Sequence, residues 1–165
     1  MFEVTDETDQ GIKRPIEIIG EFLIDATIER VRRYAGDIEL QYELLNKHRY
    51  KKAHIEKTGE TEFKVHTEAQ GIVTEAVINV KSHSENRITQ EIVMNIRALG
   101  MKFEDLFCTL QCFLEPQNKK TRVKATMTID GDLNPMKRNL LKFGLEKEMH
   151  SEYNRLRYYI ENGDI

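Results

Sequence analysis

Apolar and polar positions alternate through most of this chain, and the period changes only where helices are expected. Ile16, Ile18, Phe22 and Ile24 point one way, with Glu17 and Glu21 the other, the two-residue period of a half-buried strand. Asp25 is placed to cap a short helix carrying Ile28, Val31 and Ala35, and Gly36 to end it in the left-handed conformation. A second short helix from Asp37 to about Lys47 puts Ile38, Tyr42 and Leu45 on one side. From Arg49 the period returns to two. Ala53 and Ile55 alternate with His54 and Glu56, a turn follows at Thr58, Gly59 and Glu60, and Phe63, Val65, Thr67 and Ala69 then oppose Lys64, His66 and Glu68. After Gly71, a strand carries Ile72, Ala76, Ile78 and Val80 on one face. A turn from Ser82 to Asn86 leads to Ile88, Ile92, Met94 and Ile96. Beyond Gly100 comes the longest apolar strand, with Leu106, Cys108, Leu110, Cys112 and Leu114 on one face. Pro116 to Lys120 reads as a turn before Val123, Ala125, Met127 and Ile129.

Strands joined by short turns pair antiparallel, so about six or seven of them form a meander with one face covered. The cover is the last helix. Asn134 followed by Pro135 is a cap with proline in the first turn, and the helical pattern runs to about Asn162, where Gly163 can end it. Such a helix is roughly 42 Å long, enough to cross several strands. Leu141, Leu145, Met149, Leu156, Tyr159 and Ile160 form its apolar stripe. Met136, Leu140 and Phe143 make the first turns apolar on further sides, which predicts a helix surrounded near its start and half-exposed later.

The order of strand, two short helices, long antiparallel meander and long terminal helix is specific, and it covers about Ile16 to Asn162. With the Phe22–Leu23–Ile24–Asp25–Ala26–Thr27 junction into the first helix, it resembles the START-like superfamily, also called Bet v 1-like or SRPBCC, the helix-grip fold. Thr27 stands near the place where that junction often carries proline. Members include lipid carriers, plant allergens and hormone receptors, polyketide cyclases and chaperone activators. The resemblance implies a single α+β domain over 1–165, with residues 1–15 a polar lead-in, and a hydrophobic cavity between sheet and helix. It does not imply one activity.

The chain is 165 residues long, 39% hydrophobic and 32% charged, composition of a folded domain with no run near the ~20 apolar residues of a membrane span. Met1 to Gln10 is acidic and polar, unlike a signal peptide, and points to the cytoplasm. A net charge of −3 speaks against nucleic acid. The basic groups Arg30, Arg32 and Arg33, then Arg49, Lys51 and Lys52, then Lys119 and Lys120 read as solvated faces. Cys108 and Cys112 lie four apart on one strand, roughly 13 Å from each other, beyond the ~7 Å reach of a disulfide. They read as free thiols in a reducing compartment.

Glycine-rich phosphate loops, a His-Glu-x-x-His pair and a nucleophile elbow are all absent from the sequence. His48, His54, His66, His83 and His150 fall mostly on polar faces, and His83 with Glu85 is a weak metal signal, so no metal or cofactor is expected.

Polar residues that interrupt apolar faces say more. Thr67, Thr74, Gln90 and Glu104 fall inward under strict alternation, and Glu152 lies inside the helix stripe. Buried polar groups need partners, and some could orient a mostly apolar ligand. With Phe63, Val65, Ile78, Ile92, Met94, Leu106, Cys108, Leu110, Met127, Leu141 and Leu145 they are the candidate cavity residues. Gly144 joins them, because a mid-helix glycine can leave room for a ligand or for close approach to the sheet.

Binding or carriage of a small apolar molecule or lipid is the leading expectation. The alternatives are a cyclase or dehydratase using Glu104 or Glu152 as acid or base, and an interaction module. The latter would meet a protein partner or a second copy through Met136, Leu140 and Phe143.

Overall fold

The computed structural model describes residues 14–48 and 51–163, apart from the side chains of Ser82 and His83. The lead-in before Arg14, Arg49 and the His83 side chain therefore lie outside the described residues. Seven antiparallel strands form one open sheet: β1 (Ile16–Ile24), β2 (Lys52–Lys57), β3 (Glu62–Ala69), β4 (Ile72–Ser84), β5 (Arg87–Ala98), β6 (Met101–Gln117) and β7 (Lys120–Asp130). Their order is β1-β7-β6-β5-β4-β3-β2, so β2 to β7 meander and β1 returns beside the last strand. Helices α1 (Ile28–Ala35) and α2 (Ile38–Lys47) connect β1 to β2, and α3 (Pro135–Glu161) closes the fold. The α+β helix-grip expectation is met.

The alternation sets which face is buried. Across β4, β5, β6, β7 and β1, the inward residues Val80, Gln90, Leu110, Met127 and Ile18 stand in one row. The next row runs Ile88, Cys112, Ala125 and Gly20.

Helix α3 starts where Asn134 Oδ1 accepts from Lys137 N at 2.8 Å and Pro135 needs no partner for its nitrogen. It approaches the sheet most closely along β1. Asp37 caps α2 through Leu40 N at 3.0 Å. Asn46 then ties α2 to β2, giving and accepting a hydrogen bond with the Ala53 backbone at 2.7 and 2.8 Å.

Several local expectations change. The cap of α1 is Thr27, not Asp25, whose N–H instead donates to Glu161 Oε2 at 2.8 Å, tying the end of β1 to the last turn of α3. Gly36 stays right-handed at φ −90°, because Asp37 begins α2 at once and no reversal is needed. β4 continues to Ser84 and β6 to Gln117, so the predicted turns shrink to Glu85–Asn86 and to Asn118–Lys119. Met136, Leu140 and Phe143 are 61%, 40% and 70% exposed, so the start of α3 is not surrounded: it is covered on one side only.

Candidate functional site

The core divides into two packed clusters. One holds Phe63, Val65, Ile78, Ile92, Met94, Leu106, Cys108, Met127 and Leu141, all predicted cavity residues and all buried. The other gathers Val31, Tyr34, Leu44, Ile88, Leu114, Tyr159 and Ile160 at the opposite end. Between them the packing loosens. Val80, Leu110 and Cys112 face α3 from the middle of the sheet yet stay only partly buried, as do Tyr42 and Tyr153 above them. Ala125 and Gly20 continue the Cys112 row with little or no side chain, which lowers the floor there.

Gln90 sits at this seam, between Val80 and Leu110. It is 8% exposed, and its amide has no hydrogen-bond partner among the described residues. The amide atoms themselves are not fully buried, so the side chain is enclosed while its polar end still borders accessible space. Thr67 is buried and Thr74 partly buried on the same inward face. Leu145 is partly buried above.

Two clefts flank α3. The larger, about 800 Å³, opens between α3 and β1 and reaches Gly20, Phe22, Met149 and Tyr153. Tyr153 crosses to the floor, where its hydroxyl meets the Cys112 thiol, and its ring lies 5.0 Å from that of Phe22. The smaller cleft, about 470 Å³, lies on the other side and is lined by His48, Ser151, Arg155 and Tyr159. There the His48 ring stacks on Tyr159 at 4.2 Å.

Glu152 lies inside the stripe as predicted, and its partner is Lys51. The ammonium sits 3.2 Å from Glu152 Oε1 and also pairs with Glu148. Lys51 was expected on a solvated face. Its side chain is only 11% exposed, because two glutamates four apart on one helix face draw in a cation. Burial raises the Glu152 pKa, and the Lys51 ammonium offsets part of that rise. Burial alone would lower the pKa of Lys51, but the two carboxylates outweigh it and the net shift is upward. The phenols of Tyr34, Tyr42 and Tyr153 are pushed up by burial, each with a further contribution from Glu152. Burial likewise raises the thiol of Cys112 to about 11 and that of Cys108 to about 12, so both stay protonated.

Two predicted site residues fall elsewhere. Glu104 is exposed. Glu104 and Asp105 together oppose Asn95 in a β-bulge, with Asp105 at φ 53° and its N–H bonded to Asn95 Oδ1 at 2.8 Å. The extra residue turns Glu104 outward while Phe103 and Leu106 both point in. Gly144 is also exposed, and a Cβ there would meet nothing within 4 Å, so it makes no room for a ligand. Conversely Tyr34, Tyr42, Lys51 and Tyr153 were not singled out. The signal available for Lys51 was the Glu148–Glu152 pair. The tyrosines carried none beyond helical spacing. Among the described residues, no cluster of metal-binding side chains occurs.

No family model matches the chain, and no curated protein matches its sequence. Solved structures do. The chain is similar to a conserved protein from Geobacillus kaustophilus at a TM-score of 0.67 and 16% identity, over 87% of this chain and 94% of that one. It is similar to Ara h 8.0201 at a TM-score of 0.64 and 12% identity, over 87% and 96%. It is also similar to a START superfamily protein from Mycobacterium smegmatis at 0.57 and 14%, over 86% and 97%. At these identities the likeness is one of architecture: the chain has the START-like, Bet v 1-like helix-grip fold. No helix among the described residues is long and apolar enough to cross a membrane.

Proposed function

We propose that this protein binds a small hydrophobic molecule or lipid between the inward face of the sheet and α3. The observation that carries the reading is the seam in the core. Where a sealed domain would interlock side chains, Leu110 and Cys112 keep accessible surface and the Gln90 amide lacks a partner among the described residues. The cleft between β1 and α3 gives a route to this seam, past Gly20 and Tyr153. Burying about 300 Å² of apolar ligand there is worth roughly 7 kcal/mol before the costs of association. The solved structures of similar fold support the reading in kind.

Filling the seam tests it. Leu110→Trp is expected to weaken binding of the neutral fluorescent probe Nile red about tenfold or more while leaving the thermal midpoint within a few degrees. A tightly packed seam would respond oppositely, losing roughly 1–3 kcal/mol of stability through overpacking. Native mass spectrometry of freshly purified protein adds a second check, since a co-purifying small molecule is expected.

A second reading keeps the same cavity and gives it chemistry. Glu152 is the carboxyl suited to it, because burial raises its pKa and it lies at the seam with Tyr42 and Tyr153. Consumption of the co-purified molecule on incubation, lost in Glu152→Gln, would favour catalysis over carriage.

A further inference from the structure

The β5–β6 hairpin ends in a residue that its turn does not ask for. β6 pairs with β7 only from Phe107 onward, so its first residues run past that strand with β5 beside them. Leu99 and Gly100 join the two strands at φ 56° and 74°, the left-handed pair of a tight hairpin turn. Two other hairpin turns hold a residue in that conformation, and there it is Gln70 and Asn118, side chains that suit water. Leu99 is instead a branched apolar side chain on a backbone that strains it, and it is 85% exposed. Ile72, at the start of β4, stands level with Ala98 and is exposed too. The first turn of α3 lies against the same hairpin. There the Lys137 ammonium donates to the Lys102 carbonyl at 3.0 Å and sits 5.7 Å from the centre of the Phe103 ring. That turn presents Met136 to solvent. Leu140 and Phe143 follow Met136 at helical spacing, and Phe143 lines the larger cleft with Ile19 and Gly20. An apolar track thus runs from this end of the molecule to the mouth of that cleft.

Cations collect at the same end. Arg97 and Lys102 face each other directly across the hairpin, both exposed, an arrangement that weakens a ladder unless an anion answers it. Lys137 brings a third positive charge to Lys102. Of the carboxylates near this rung, Glu68 is flanked by Lys52 on the neighbouring strand, and Asp132 already has a partner. Glu104 and Asp105 stand level with Asn95, roughly 13 Å from Leu99 along the strand. That is beyond the ~8 Å over which salt leaves exposed charges to act. The chain as a whole carries −3, so an anionic surface is repelled from most directions and admitted at this one. Exposed apolar side chains beside lysine and arginine match the boundary of a bilayer. The apolar groups enter the acyl region there, and the cations meet lipid phosphates and carboxylates.

We propose that this end of the molecule docks on an anionic lipid bilayer, with Leu99 and Met136 entering the interface and Arg97, Lys102 and Lys137 against the headgroups. Docking sets the start of the Met136–Leu140–Phe143 track in the bilayer, so an apolar ligand reaches the cleft without crossing water. That last step rests on the binding reading above. Co-sedimentation with phosphatidylcholine vesicles, with and without phosphatidylserine, tests the docking. The protein is expected to bind the phosphatidylserine vesicles about tenfold more tightly or better. Leu99→Asn gives the turn a residue that accepts its conformation, so the thermal midpoint should hold or rise while vesicle binding falls about tenfold. Arg97→Gln with Lys102→Gln should remove most of the preference for phosphatidylserine, about fivefold per charge. Val93→Thr, an exposed apolar position in the middle of the sheet, should bind vesicles as wild type does. Wild type sedimenting with neither vesicle, or Leu99→Asn binding unchanged, would overturn the proposal and leave these side chains to a protein partner. Equal binding of wild type to both vesicles would overturn it as well, since the cations would then have no part. Nile red uptake separates the two readings. A protein that takes up Nile red yet ignores vesicles keeps its cavity and loses the docking, and one that docks but excludes Nile red does the reverse.

Discussion

Glu152 concentrates the tension in this protein at the scale of one residue. Its side chain is 30% accessible, yet its carboxyl is desolvated enough to titrate above the ordinary 4.5, the behaviour of a group in a recess. A carboxyl with a raised folded pKa binds more protons in the folded chain than in the unfolded one. Its contribution is therefore intact below about pH 4.5 and turns unfavourable as pH rises through the folded value. Wild type should lose thermal stability between pH 4.5 and 7.5 relative to Glu152→Gln, which keeps the shape without the charge. Calorimetric midpoints measured across that range check this, and parallel curves for the two proteins would refute it. Titrating groups that do not interact with Glu152 cancel in the difference. The presence of Glu152 in the stripe was readable from helical spacing. Its partner was not, because Lys51 sits in a run with Arg49 and Lys52 that looks solvent-facing in one dimension. Only the fold carries it under α3.

Individual elements follow rules that single substitutions can isolate. Asn134→Ala removes the acceptor for Lys137 N and is expected to destabilise by about 1 kcal/mol in urea unfolding. Gly144→Ala should do the reverse, gaining up to about 1 kcal/mol, because an added Cβ meets open space and restores helix propensity. Nile red affinity should stay the same in both. The start of α3 was legible because Asn134–Pro135 is local chemistry, and the strands were legible because parity alone decides which side chain is buried. What failed was parity across an irregularity. The bulge at Glu104–Asp105 depends on Asn95 in the neighbouring strand, so no pattern within β6 announces it. Asp25 and Gly36 misled for a related reason. Each suits a cap in isolation, yet Thr27 takes one role and the immediate start of α2 removes the need for the other.

At the scale of the whole molecule, the two edges of the open sheet differ in a way that bears on association. The β2 edge is short, six residues, and exposes Lys52, His54, Glu56 and Lys57, charges that discourage pairing with another strand. The β1 edge has no lysine. Among the described residues it pairs on one side only, with β7. Its outward residues Ile19 and Leu23 are 57% and 41% exposed, and Glu21 is held back by Arg122 at 2.8 Å. Across the cleft, Phe143 and Leu140 extend the apolar surface along α3. Antiparallel pairing of two β1 strands about Gly20 would set Ile19 against Glu21 and Ile18 against Phe22, with no like charges opposed. Concentrated protein is therefore expected to self-associate along this side. Sedimentation equilibrium should show an average mass that rises with concentration in wild type and falls back to the monomer in Ile19→Lys. Val93→Lys provides the control, because Val93 is comparably exposed, at 46%, but lies mid-sheet on the outer face. If the two lysines act alike, general surface hydrophobicity drives association and the β1 edge has no special part in it.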